Sequence, residues 1–171
     1  MFKKLLLFIL LTPSLSTMAS PESDYDEFVS YFENRFPDTP FEDYKNGVYS
    51  IDKSAREQWE SMEEFPPYEL NIDRGEELFN LPFKNGNTYA SCFDNEGIGI
   101  RQNYPYFNTE KNKVVTLEGA INECRVKNGE KPLSYYKGKE LAHVSAYMAY
   151  TSRGNKFNVE VPNTTEALEA Y

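Results

Sequence analysis

One stretch of the sequence, Leu81 to Lys113, carries no clear helical or strand periodicity, although the chain on both sides of it reads as helical. Turn residues recur along this stretch, at Asn85-Gly86, Gly97, Gly99 and Tyr104-Pro105. A long irregular stretch inside a compact domain is uncommon, and it usually serves a function or wraps around something. This stretch therefore limits the choice of fold more than any helix does.

The rest of the chain shows the caps and apolar spacings of helices. We predict five helices, the first of which is capped by Ser23. The other four are Lys53 to Met62 with Asp52 as N-cap, Asp73 to Asn80, Leu117 to Lys127 with Thr116 as N-cap, and about Lys139 to Ser152. Phe157 to Val161 alternate like a short strand or an extended arm. The length of 171 residues suits one hydrophobic core and is short for two domains.

Residues 1–19 have the layout of a secretory signal peptide. Lys3-Lys4 is a basic start, Leu5 to Leu11 is an apolar run, and small residues end at Ala19. The apolar run is too short to span a bilayer. We expect cleavage after Ala19 and an exported chain.

The charge excludes two classes of partner. The formal net charge is −9, and cleavage of the signal peptide would remove two lysines and no acid. Nucleic-acid binding needs clustered Lys and Arg, and anionic membrane surfaces attract basic segments. We therefore predict no nucleic-acid partner and no membrane partner.

The two cysteines indicate how the irregular stretch could be held. Cys124 lies on the apolar stripe of the Leu117–Lys127 helix, and Cys92 lies within the stretch. An even number of cysteines in an exported protein favours a disulfide, and this one would contribute roughly 3–4 kcal/mol through loop closure. The alternatives are a reactive thiol or a haem ligand.

No residue pattern predicts catalysis. His143 is the only histidine, and it has neither a neighbouring nucleophile nor a second metal ligand at helical spacing. Covalent haem attachment needs Cys-x-x-Cys followed by His. The segment Tyr89-Ala-Ser-Cys-Phe93 keeps one of these cysteines and lacks the histidine.

Five motifs, in this order and spacing, make the sequence resemble the SoxA family, the cytochrome c subunit of the SoxAX thiosulfate-oxidising complex. They are Glu64-Phe-Pro-Pro-Tyr68, Asn85-Gly-Asn-Thr-Tyr-Ala-Ser-Cys-Phe93, Ile100-Arg-Gln-Asn-Tyr-Pro-Tyr-Phe107, Val115-Thr-Leu-Glu-Gly-Ala-Ile-Asn-Glu-Cys-Arg125 and Ser145-Ala-Tyr-Met-Ala-Tyr-Thr-Ser-Arg-Gly154. The resemblance covers nearly all of the chain after the signal peptide, from about Tyr25 to Tyr171.

The resemblance implies an all-α, cytochrome c-like domain with long loops that lacks the Cys-x-x-Cys-His motif. SoxA proteins resemble two such domains in tandem, and the C-terminal one carries the active haem c. There thiosulfate is joined oxidatively to the carrier protein SoxYZ, and the electrons leave through haem to the cytochrome SoxX. The partners implied are thus a SoxX-like cytochrome c, as a heterodimer, and a SoxYZ-like carrier.

This sequence resembles the N-terminal domain of those members that have lost their second haem. Cys92 then stands at an attachment cysteine and Cys124 at the axial cysteine, while Tyr89 and Phe93 replace the other attachment cysteine and the histidine. We expect no cofactor on this chain, and a Cys92–Cys124 disulfide that holds the former pocket shut. Aromatic side chains would fill the vacated volume, namely Tyr89, Phe93, Tyr104, Tyr106 and Phe107.

The resemblance also divides the chain. Residues 20–160 would form the haem-less periplasmic domain, and residues 161–171 would begin a linker helix toward a C-terminal haem domain. No catalytic residue of the family has a counterpart here. The alternatives are a stand-alone periplasmic binding or scaffold module, and a small thiol–disulfide protein, against which the absence of Cys-x-x-Cys counts.

Overall fold

A computed structural model describes residues 20–159 and 162–170. The predicted signal peptide, and residues 160, 161 and 171 of the predicted arm and linker, lie outside the described residues. Within the described part, no helix is both long and apolar enough to cross a membrane.

The described residues are rich in helix and contain one small sheet. The α-helices are α1 (Pro21–Arg35), α2 (Lys53–Glu63), α3 (Glu69–Asn80), α4 (Leu117–Lys127), α5 (Glu140–Tyr150) and α6 (Thr165–Ala170). The 3₁₀ elements are Phe41–Ser50, Tyr89–Cys92, Asp94–Gly97 and Arg101–Asn103, and the strands are β1 (Tyr106–Asn108) and β2 (Lys113–Val115).

Helices α1, α2 and α4 begin at side-chain caps, which satisfy the unpaired N–H groups of a first turn. The predicted caps of α2 and α4 are confirmed, because Asp52 accepts from the Ala55 N–H at 3.0 Å and Thr116 accepts from the Gly119 N–H at 3.1 Å. The predicted cap of α1 is wrong. Ser20 is its N-cap, and Ser23 is the third helical residue of a capping box, with Pro21 in the first turn where its missing N–H costs nothing.

Helices α3 and α5 pack closely because Gly75 has no side chain. A Cβ at Gly75 would lie 2.1 Å from the backbone oxygen of His143 and 2.8 Å from the Cβ of Tyr147. Helix α4 packs on α5 and on the Tyr89–Cys92 turn. The predicted α3 begins four residues too late, at Asp73, because the turn after Pro66-Pro67 already leads into helix at Glu69.

The hydrophobic core lies between α3, α4, α5 and the irregular stretch. Its largest fully buried side chains are Tyr89, Leu117, Ile121, Met148 and Val144. Burial of this kind contributes roughly 1.5–3 kcal/mol for each large apolar side chain.

The irregular stretch leads into a β-hairpin that ends at Val115, which the all-α expectation does not include. Tyr106 pairs with Val115 and Asn108 with Lys113 in antiparallel register. The connecting turn uses an Asn108 side chain that accepts from the Lys111 N–H at 2.8 Å and a left-handed Asn112. Residues 157–159 form no strand, and the short helix α6 packs on β2 with Ala167 buried.

The N-terminal region, residues 20–63, contains no buried residue among those that the structure describes. Its 3₁₀ segment Phe41–Ser50 packs on α2, where the ring of Tyr49 stacks on that of Trp59 at 5.4 Å between centroids. The segment also packs on α1, where the Tyr44 hydroxyl donates to the Phe32 carbonyl at 2.9 Å.

Candidate functional site

The two cysteines lie at the centre of the candidate site, bonded to each other. Cys92 ends the Tyr89–Cys92 turn, and Cys124 lies in the last turns of α4, buried in the core. Their sulfurs are 2.05 Å apart and their Cα atoms 5.7 Å apart, across a sequence separation of 32. The bond ties the irregular stretch to α4.

Tyr89, three residues before Cys92, is a core side chain. It is 1% exposed, and its ring stacks on Phe79 at 5.8 Å and meets Phe83 edge-on at 4.9 Å. Its hydroxyl accepts a hydrogen bond from Nη1 of Arg125 at 3.1 Å, so the polar end of the buried ring has a partner. Burial raises the pKa of Tyr89, and the Arg125 hydrogen bond opposes that rise in part.

Asn128 organises the polar side of the site. Its Nδ2 donates to the Cys124 carbonyl at 2.9 Å and lies 3.4 Å from the sulfur of Cys92. Its Oδ1 accepts from the side-chain amides of Asn85 and Asn87, each at 2.8 Å. One buried amide thus joins the end of α4, the disulfide and the first turn of the irregular stretch.

Two polar residues that follow α5 also hold the irregular stretch in place. The Gly99 N–H donates to the Thr151 hydroxyl at 3.2 Å, and the Arg101 N–H donates to the buried Ser152 hydroxyl at 2.9 Å. These bonds satisfy backbone groups that a loop cannot pair internally. The sequence indicates Asn128 only as the end of a helix. No local pattern identifies the roles of Thr151 and Ser152, because their hydrogen-bond partners are backbone groups distant in sequence.

Four of the predicted pocket aromatics lie at different depths. Phe93 and Tyr104 are partly buried against the core, and both line a cavity beside the disulfide together with Tyr106. Burial raises the pKa of Tyr104 to about 12. Phe107 is half-buried on β1 and does not line this cavity.

The residues at the site do not fit a covalently held haem. Both sulfurs are bonded to each other in the disulfide, so neither can form a thioether bond to a haem or act as a thiolate ligand of its iron. The cavity beside the disulfide measures about 190 Å³, and the one beside Tyr89 and Arg125 about 240 Å³. Both volumes lie below the roughly 300 Å³ at which pockets for drug-sized ligands begin, and a haem is larger than such ligands.

His143 does not belong to this site. It lies half-buried on α5, where its backbone oxygen faces Gly75 of α3. Over residues 20–159 and 162–170, no group of three or more His, Cys, Asp and Glu side chains is placed to hold a metal ion.

A polar cluster joins two of the sequence motifs that carry the resemblance. The Tyr68 hydroxyl donates to Glu63 at 2.6 Å, and Arg153 hydrogen-bonds the same hydroxyl and lies 3.5 Å from Glu63. The Arg153 guanidinium also lies 4.8 Å from the ring centroid of Tyr150. The hydrogen bond to Glu63 is the main cause that raises the pKa of Tyr68, and the bond to Tyr68 raises the pKa of Arg153. The cluster fastens the end of α2 to the end of α5.

Comparisons with known proteins agree with the motifs. The family model described as "SoxA/TsdA, cytochrome c domain" matches residues 74–157. The chain is 53% identical over 150 residues to the L-cysteine S-thiosulfotransferase subunit SoxA of Chlorobaculum tepidum, which is 88% of this chain and 51% of that protein. It is 48% identical over 158 residues to the corresponding subunit of Chlorobaculum thiosulfatiphilum, covering 92% of this chain and 54% of the relative.

A third relative gives the same result. The SoxA subunit of Allochromatium vinosum is 47% identical over 156 residues, which cover 91% of this chain and 55% of the relative. The chain therefore spans about half the length of the curated relatives that it matches, and the resemblance predicted from the motifs is confirmed.

Proposed function

Because the chain belongs to the SoxA family, we propose that it is a haem-less, N-terminal structural and docking domain of a SoxA-type cytochrome. The observation that carries the proposal is the identity of 47–53% to SoxA subunits over about nine-tenths of this chain and only half of theirs. In this proposal, residues 20–160 form the domain and residues 161–171 begin the connection to a haem-bearing domain.

The chemistry proposed for the whole protein is the oxidative joining of thiosulfate to a carrier-protein cysteine. One sulfur–sulfur bond forms, the thiol loses its proton, and two electrons pass through haem to a partner cytochrome. A SoxX-like cytochrome c and a SoxYZ-like carrier are the proposed partners, and the periplasm, reached through the signal peptide, is the proposed location. None of these steps involves a residue of this chain.

The role proposed for this chain rests on its rigid core. The disulfide, Tyr89 and Asn128 close the centre of a cytochrome-like fold without haem, and the domain then offers surface rather than redox chemistry. Close packing supports this, because an empty volume the size of a haem would cost several kcal/mol of stability.

Deletion of the coding region in the source organism tests the proposal. We expect the deletion strain to stop consuming thiosulfate and the unaltered gene to restore consumption. We also expect a tagged copy from a thiosulfate-grown culture to co-purify with a small c-type cytochrome. Unchanged thiosulfate consumption in the deletion strain would contradict the proposal.

A further inference from the structure

The N-terminal region carries an apolar groove that the other residues described by the structure leave uncovered. We call it the aromatic groove. It has a volume of about 570 Å³. It is lined by Tyr25, Phe28, Val29 and Phe32 of α1 and the C-cap Phe36, and by Phe41, Tyr44 and Val48 of the 3₁₀ segment and the C-cap Ile51. Several of these side chains are widely exposed, including Phe28 at 64% and Val48 at 54%. Large contiguous apolar surfaces on soluble proteins mark interaction sites.

The two walls of the groove are held at a fixed spacing. The Phe32 and Tyr44 rings are 6.3 Å apart, and the Tyr44 hydroxyl is hydrogen-bonded to the Phe32 backbone across the walls. Gly47, with φ of 57° and ψ of −133°, turns the chain within the second wall in a conformation that side chains disfavour. The groove is therefore a built surface whose shape exists before anything binds.

The geometry of the first wall matches a helical partner. Its apolar residues Tyr25, Phe28, Val29 and Phe32 recur at i, i+3, i+4 and i+7 along α1, so they form one stripe that ends at the C-cap Phe36. A groove with a parallel apolar stripe is the surface into which an amphipathic helix lays its own apolar face.

The charge around the groove limits the chemistry of that partner. Between residues 21 and 51 the sequence has eight acidic residues and two basic ones, Arg35 and Lys45. Glu22, Asp26 and Glu42 are exposed near the lining residues in sequence. A second copy of the chain would bring like charge against like, and an anionic membrane surface would be repelled. Lys and Arg on the flanks of an apolar helix would be attracted.

We propose that the aromatic groove binds an amphipathic helix of a partner protein whose apolar stripe is flanked by lysine or arginine. The groove lies outside residues 74–157, which the family model matches, but within residues 20–160, the proposed docking domain, so this inference rests on the proposed docking role and deepens it. Peptide binding is measured without thiosulfate chemistry, so the two experiments can fail separately. Unchanged thiosulfate consumption in the deletion strain would not contradict the groove proposal, and failure of the peptide to bind would not contradict the proposed thiosulfate chemistry.

A designed peptide tests the proposal on the full chain with its disulfide intact. The probe is an 18-residue Leu/Lys peptide with leucines at helical a and d spacing, titrated by calorimetry. A scrambled peptide of the same composition measures attraction by charge alone. A Leu/Glu peptide of the same pattern reverses the sign of the charge that flanks the leucines. We expect the patterned Leu/Lys peptide to bind at least tenfold more tightly than either control.

Two variants localise the binding. Phe28→Ser removes a groove aromatic, and Phe65→Ser removes an aromatic that is 89% exposed and does not line the groove. We expect Phe28→Ser to weaken peptide binding at least tenfold, and Phe65→Ser to leave it unchanged. Unchanged thermal unfolding of both variants shows that neither result comes from misfolding.

Three outcomes would overturn the proposal. Equal affinity for the patterned and scrambled peptides would mean charge attraction alone. Equal loss in both variants would place the binding elsewhere. A concentration-dependent dimer in sedimentation, abolished by Phe28→Ser, would identify a second copy of the chain as the occupant of the groove.

Discussion

Two regions of this molecule contain many aromatic residues and use them in opposite ways. In the region formed by residues 69–152, Phe79, Phe83 and Tyr89 are buried around one disulfide. In the N-terminal region, residues 20–63, the aromatic rings contact each other but none is buried among the described residues. The difference shows that aromatic content alone does not create a core. A core needs elements that face each other and are held together.

The helices and turns within residues 69–152 are held together by contacts between residues that are far apart in sequence. The Cys92–Cys124 disulfide, the amide of Asn128 and the close crossing of α3 and α5 at Gly75 each join parts far apart along the chain. The links within residues 20–63 are shorter in range and more exposed. We infer that most of the stability resides in residues 69–152, while residues 20–63 provide surface.

The largest expected effect compares one phenylalanine from each region. We predict that Phe79→Ala, at a position 3% exposed, costs about 3–5 kcal/mol of unfolding free energy, because it leaves a cavity in the core. Phe28→Ala, at a position 64% exposed, should change it by less than about 0.5 kcal/mol. Urea denaturation followed by circular dichroism measures both. Similar losses in the two variants would remove the distinction between the regions.

Removal of the disulfide tests how residues 69–152 are held together. We predict that the double variant Cys92→Ala/Cys124→Ala loses about 3–4 kcal/mol, since the unfolded chain regains the freedom of a long loop. A reducing agent should lower the stability of the unaltered protein by a similar amount and leave the double variant unaffected. Denaturation curves that do not respond to the reductant would contradict this account.

The crossing of α3 and α5 gives the next effect. We predict that Gly75→Ala costs about 1–3 kcal/mol, because the new methyl group would overlap the His143 carbonyl and force the helices apart. Gly119→Ala is the matched control, since its nearest neighbour would be the Thr116 hydroxyl at 3.3 Å and alanine favours helix. Thermal unfolding of both variants should show a loss only for Gly75→Ala.

The smallest expected effect concerns the amide beside the disulfide. We predict that Asn128→Ala costs about 1–2 kcal/mol, because Asn85 and Asn87 lose their shared acceptor. Asn128→Asp keeps an acceptor but loses the Nδ2 donor to the Cys124 carbonyl and places a buried carboxylate against that oxygen, so it should lose at least as much. Chemical denaturation ranks the three proteins, and an alanine variant as stable as the original would show that this hydrogen-bond network contributes little.

The helices with clear caps could be predicted from the sequence. Asp52 and Thr116 each precede a regular apolar pattern, so the starts of α2 and α4 follow from local chemistry alone. The predicted cap of α1 is wrong because Ser20 and Ser23 are both capping residues. The proline between them, which is tolerated only in the first turn, identifies the earlier one.

The hairpin and the polar contacts could not be predicted in the same way. Strands β1 and β2 are three residues each, which is too short for an alternating pattern to be recognised. The partners of Asn128, Thr151 and Ser152 are set by the tertiary fold, and no local spacing indicates them. The exposure of the N-terminal aromatics also does not follow from the sequence, because burial depends on which elements pack against each other.

Mass spectrometry of the unreduced protein, purified from its source organism, tests the central claim most directly. The claim is that the disulfide and Tyr89 close this domain without haem. A proteolytic digest should contain one cross-linked pair of peptides, with Cys92 joined to Cys124 and a mass short by two hydrogens. A haem bonded to Cys92, or two free thiols that react with a labelling reagent after denaturation, would contradict the claim.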